Sequence, residues 1–121
     1  KLLVKHYKQI KNEEKEIEIY KKWINLFKED FNILNSFAWR MSQLEKELEL
    51  ALELSKIAIN LTIDDPIQQA MVIDTEAEIL WKMGKNEEAI LVIEKAIKIS
   101  PKDNYYKSQK EKFENSILIE S

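Results

Sequence analysis

Between Asn86 and Ile99 the positions Ala89, Ile90, Ile93, Ala96 and Ile97 fall at i, i+1, i+4, i+7 and i+8, with Glu94, Lys95 and Lys98 among them. That spacing returns to one side of a 3.6-residue turn and predicts an amphipathic helix. The same pattern stands upstream as Ala51, Leu52, Ser55, Ala58 and Ile59. Each of these segments follows another helix-forming one. The later of the two runs from Pro66 to Met83, opened by Asp65 as N-cap and by Pro66 at the first helical position, where its missing N–H is harmless. Gly84 closes it, since glycine takes the left-handed position after a helix without steric cost, and Asn86, Glu87 and Glu88 open the next helix with negative charge. The earlier one runs roughly from Asn32 to Leu44, with Ala38 where its counterpart has Ala77.

The two hairpins are not perfect copies. Ala51 lies 38 residues before Ala89, and the excess falls mostly in Leu61 to Asp65, read as a lengthened loop. The turn near Leu44 to Glu47 lacks a glycine. At the N-terminal end Leu3, Val4, Tyr7 and Ile10 are expected on one helix and Ile17, Tyr20, Trp23, Ile24 and Phe27 on a second, with the break at Asn12. A last helix is predicted from Asp103 to about Leu118, with Tyr105 or Tyr106, Gln109 and Phe113 on a side that covers the end of the stack.

Ala77, Leu80, Gly84, Ala89, Ile93, Ala96 and Pro101 resemble the tetratricopeptide repeat, a helix-turn-helix unit of about 34 residues. Each residue type has a physical reason to stand there, since alanines let helices approach closely, glycine turns the chain, and proline starts the following helix. The stretches LNSFAWRM and DTEAEILWKMGKNEEAI are also similar to tetratricopeptide segments that follow thioredoxin-like domains in bacterial proteins. The resemblance implies an all-α fold of antiparallel helix-turn-helix repeats stacked as a right-handed superhelix, in a single domain. It implies about three units and a cap: a degenerate first unit over 1–31, a second over 32–66, a third over 67–102, and a capping helix and tail over 103–121.

Composition agrees with this. One Gly and two Pro leave few places to turn, and 45% hydrophobic residues give enough apolar side chain for a core. No apolar run approaches the roughly 20 residues that cross a bilayer, so a soluble chain without membrane insertion is expected. A net charge of -3 with Lys and Glu interspersed makes nucleic acid a poor partner. Without cysteine there is no disulfide or thiolate metal site, and the compartment stays open between cytoplasm and periplasm. A chain that begins at Lys1 without a basic-then-apolar leader is expected to be a processed product or an excised piece.

No catalytic, metal or cofactor residues are expected. The single histidine, His6, stands in a Lys-rich helix with no neighbouring Ser or Asp motif, and no HExxH or CxxC spacing occurs. Glu13, Glu14, Glu16 and Glu18, and further on Glu45, Glu47, Glu49 and Glu53, are interleaved with Lys15 and Lys46 and read as solvated faces.

What the resemblance implies for function is a binding groove built from the first helix of each unit. Its positions would be Asp74, Glu78, Trp81 and Lys82 in the third unit, and Asn35, Trp39, Ser42 and next to it Gln43 in the second. Lys1, Lys5 and Lys8 would add the first unit's share, giving a basic end, an aromatic middle and an acidic end. Such a surface would orient an extended peptide, with Trp39 and Trp81 as anchors. Each tryptophan also has a plainer reading as a packing residue between helices, and Trp23 is expected in the core. The lysines have one as a solvent face. The carboxylate clamp of chaperone-binding members is disfavoured, because Asp74 and Glu78 take the third unit's matching positions and would repel that ligand. The expectation is a non-enzymatic scaffold that binds a protein or peptide. Two alternatives stay open: a structural element that self-associates through an edge containing Leu2, Leu3 and Tyr7, and an accessory domain of a larger, thioredoxin-like enzyme.

Overall fold

The computed structural model describes the backbone of residues 2–120 and the side chains of residues 9–119. Six helices follow one another: α1 (Leu2–Leu26), α2 (Phe31–Leu44), α3 (Leu48–Leu61), α4 (Pro66–Lys82), α5 (Asn86–Ile99) and α6 (Asn104–Glu120). No strand occurs among the described residues. The all-α class is therefore as expected.

Local chemistry sets most of the boundaries. Asp30 caps α2, its Oδ1 accepting from the N–H groups of Asn32 at 3.0 Å and Ile33 at 3.3 Å. Asp65 caps α4 through the N–H of Gln68, with Pro66 in the first turn. Gly84 stands at φ +81°; its N–H donates to the Trp81 carbonyl and that of Lys85 to the Leu80 carbonyl, the paired bonds that end a helix in a left-handed turn. The α2–α3 turn copies this geometry without glycine. Glu45 takes the left-handed position at φ 54°, with its N–H on the Ser42 carbonyl and that of Lys46 on the Met41 carbonyl.

Three expectations change. α1 runs unbroken through Asn12, because asparagine costs a helix interior well under ~1 kcal/mol and no Gly or Pro stands near to stop it. The excess length does not sit in the loop before Pro66: residues 62–65 make a connection as long as that of residues 100–103, and α4 has 17 residues where α2 has 14. α3 continues to Leu61, and the buried Thr62 then closes it by donating its hydroxyl to the carbonyls of Ala58 and Ile59. Pro101 does not start α6; it lies in the turn before Asp103, whose Oδ1 accepts from the Tyr105 N–H at 2.9 Å.

α2 packs on α3 and α4 on α5, each pair joined by a short turn, and α4 also lies against α3 and α2. Ala38, Ala51, Ala58, Ala70, Ala77, Ala89 and Ala96 are all fully buried, so the alanine positions are where the helix axes approach. α5 and α6 close one end with α4 around Ala77, Leu80, Ala89, Ile93, Tyr106 and Phe113. α1 closes the other, placing Ile17, Tyr20 and Ile24 against the cluster of Phe37, Met41, Ala51 and Ile79.

Candidate functional site

α4 is the most enclosed helix, with every residue from Val72 to Leu80 buried. A helix surrounded on most sides by others must bury whatever it carries there, and it carries Asp74 and Glu78 one turn apart. They are 5% and 7% exposed. A buried carboxylate is costly unless hydrogen-bonded or paired. α6 supplies both: Gln109 Nε2 donates to Asp74 Oδ1 and to Glu78 Oε1, each at 3.0 Å, and Lys112 Nζ donates to Glu78 Oε1 at 2.8 Å. Burial pushes the Asp74 carboxyl up to about 6; the Gln109 hydrogen bond opposes that rise and the neighbouring Glu78 adds to it.

The aromatic residue one turn on is drawn into the same contact. Trp81 is half-buried, 5.9 Å from the Phe113 ring centre, with Lys112 Nζ 4.2 Å from its own ring centre and its Nε1–H donating to Ser116 Oγ at 2.9 Å. Lys82 Nζ lies 5.3 Å from the same ring. Four of the expected groove residues are thus gathered, but Asp74, Glu78 and Trp81 meet α6 and not open solvent. The reason is a second helix that returns across their face with Gln109, Lys112, Phe113 and Ser116, at i, i+3, i+4 and i+7. That spacing is legible in the sequence, but nothing in it reveals the match to Asp74, Glu78 and Trp81. Repulsion of a ligand carboxylate no longer follows from two acids already met by Gln109 and Lys112.

On α2 the groove positions separate. Ser42 is buried and turns its hydroxyl back to the Trp39 carbonyl, so it faces no groove. Trp39 is half-buried. Asn35, one turn before it, is half-buried with its Oδ1 fully enclosed and without a hydrogen-bond partner. Gln43 is exposed. Lys1, Lys5 and Lys8, like His6 and the edge of Leu2, Leu3 and Tyr7, lie outside the residues whose side chains are described. Trp23 overturns its expectation: it is 48% exposed, because only the side of α1 bearing Ile17, Tyr20 and Ile24 meets α2.

Among the described residues no three His, Cys, Asp or Glu side chains are grouped to hold a metal ion, and no helix is long and apolar enough to cross a membrane. Compared with known proteins, the chain matches no protein-family model, no curated protein and no solved structure.

Proposed function

We propose that the chain is a non-enzymatic interaction module of the tetratricopeptide kind that holds a segment of a protein partner against α2, beside α4. The observation that carries this reading is the enclosed Asn35 Oδ1, an acceptor without a donor, one helical turn from the half-buried Trp39 ring. An enclosed polar atom without a partner costs about 1–3 kcal/mol, so turning the half-buried Asn35 amide outward to accept an N–H from a ligand gains at this point. An extended segment offers backbone N–H groups at regular intervals and side chains between them, one of which would rest on Trp39. The row formed by α2 against α4 supports the same reading, since it presents neighbouring first helices of two hairpins side by side.

The test uses two variants of the full chain against a random peptide library selected on the wild type. Trp39→Ala removes the ring. Asn35→Leu keeps the branched shape and removes the acceptor, and it is expected to raise the unfolding free energy of the free chain by about 1 kcal/mol. Both should weaken the selected peptides about tenfold or more, with helix content unchanged by circular dichroism. Opposite signs for stability and binding at Asn35 are what an acceptor enclosed in the free chain and turned to a ligand in the complex requires. A library that yields no binders, or binders indifferent to both substitutions, rejects the proposal.

A further inference from the structure

α1 has two apolar sides and the fold uses one. Ile17, Tyr20 and Ile24 join the core, whereas Ile19, Trp23 and Leu26, with Phe27 just past the end of the helix, at i, i+4, i+7 and i+8, are 48%, 48%, 74% and 49% exposed. Four large apolar side chains in register over two turns form a continuous strip. Beside Ile19 and Trp23 a shallow cleft of about 370 Å³ is bounded by Asn12, Lys15, Glu16 and Tyr20 as well.

The charges beside the strip are one-sided. Lys22 borders its outer edge, and Lys15 and Lys11 continue that edge about one and two turns before Ile19; all three are exposed, and no ion pair or hydrogen bond to a described residue engages them. On the inner edge Glu16 is already held by Arg40, with Nε at 2.6 Å and Nη2 at 3.1 Å. α1 meets α2 through Ile17, Tyr20 and Ile24, and the strip of Ile19, Trp23, Leu26 and Phe27 is left open beside that contact.

We infer that this strip of α1 is a docking surface for an amphipathic helix of another protein, laid along α1, with bulky apolar side chains around Trp23 and carboxylates facing Lys11, Lys15 and Lys22. Charge selects this occupant over a second copy. In a two-fold antiparallel pair of α1 helices the lysine edge of one copy would meet the lysine edge of the other. It also selects it over an anionic membrane, because the cationic edge is confined to one side of a two-turn strip, and Glu14 and Glu18 stand further round the same helix on a chain of net charge -3. The surface is separate from Asn35 and Trp39, so either proposal can fail while the other stands.

The experiment titrates the full chain with a labelled synthetic helical peptide carrying Leu at i, i+3 and i+7 and Glu on both flanks. A second peptide has Lys in place of Glu, a third has the first one's composition scrambled, and phosphatidylserine vesicles are a fourth probe. The Glu-flanked peptide should bind at least about tenfold more tightly than the other two, and Trp23→Ser with Leu26→Ser should abolish that gap. Lys15→Glu with Lys22→Glu should reverse the preference toward the Lys-flanked peptide. Trp39→Ala should leave all three titrations unchanged. All substituted α1 residues are exposed, so helix content should be retained. Equal binding of the scrambled peptide, indifference to the charge reversal, tighter binding to vesicles than to peptide, or self-association of the chain alone that Trp23→Ser removes would each overturn the inference.

Discussion

Asp74 binds its proton more tightly in the fold than an unfolded aspartate does, because burial under α6 disfavours the charge. Its carboxyl titrates at about 6 in the fold against roughly 3.9 in an unfolded chain. A raised folded value contributes stability that is fully present below the unfolded pKa and lost as pH rises through the folded one. This contribution therefore fades between about pH 4 and pH 6 and is absent at pH 7, on the order of 2–3 kcal/mol across the window. Asp74→Asn keeps an acceptor for Gln109 and removes the charge. The expected outcome is a variant more stable than the wild type at pH 7, with the difference shrinking toward pH 4. Paired thermal melts across that range check it. Glu76, 8% exposed and also raised chiefly by burial, titrates in both proteins and cancels in the difference. A difference independent of pH would sink the account. The sequence placed Asp74 and Glu78 on one helix face by their four-residue spacing. It could not show what covers that face, because the cover is Gln109 and Lys112, more than thirty positions away, and periodicity within one helix carries no information about its neighbour.

At the scale of elements, residues with strong local chemistry were legible and those without it were not. Asp65, Pro66 and Gly84 mark boundaries by capping and by dihedral freedom, and α4 and α5 start and stop where those residues say. Asn12 has no such force, and α1 passes through it. The α2–α3 turn shows the converse, a tertiary override of local preference. Glu45 and Glu47 sit at φ 54° and 53°, which non-glycine residues adopt at a cost of about 1–2 kcal/mol each. The turn is held in place by α1, where Glu13 accepts from Lys46 at 3.0 Å and Lys21 donates to Glu47 at 2.7 Å. Glu45 makes no side-chain contact of this kind with a described residue, so Glu45→Gly is expected to relieve the strain and stabilise by about 1 kcal/mol, measured by urea denaturation. Glu47→Gly should gain less, since it also removes the partner of Lys21. Ala77 tests the close approach of α4 and α5 from the other direction. It is fully buried, and Ala77→Leu adds volume where neighbouring Ala89 and Ile93 leave none, for an expected loss of about 1–3 kcal/mol.

Across the whole molecule the contacts among the described residues run mostly from each helix to its neighbours in the chain, with α4 joining the two hairpins by packing on both α3 and α2. A stack of this kind is expected to unfold from its ends, since loss of a terminal helix exposes only the surface it covered. Both ends leave apolar side chains outside, Trp23 and Phe27 by α1 and Tyr105, Leu118 and Ile119 on α6, but α6 also inserts the buried Tyr106 and Phe113. Phe113 is fully buried and shares its cluster with Ala77, Leu80 and Ile93. Phe113→Ala should therefore cost about 3–5 kcal/mol at the α6 end. If stability is local, amide hydrogen exchange in that variant quickens in α6 and α5, rises less in α4, and stays close to wild type in α2 and α3. Exchange that accelerates equally in α2 and in α6 would mean that the chain unfolds as one unit, and α4 would then be transmitting the loss instead of confining it. Either result bears on binding, because only a chain with confined ends can loosen α6 while the face of Asn35 and Trp39 on α2 keeps its shape.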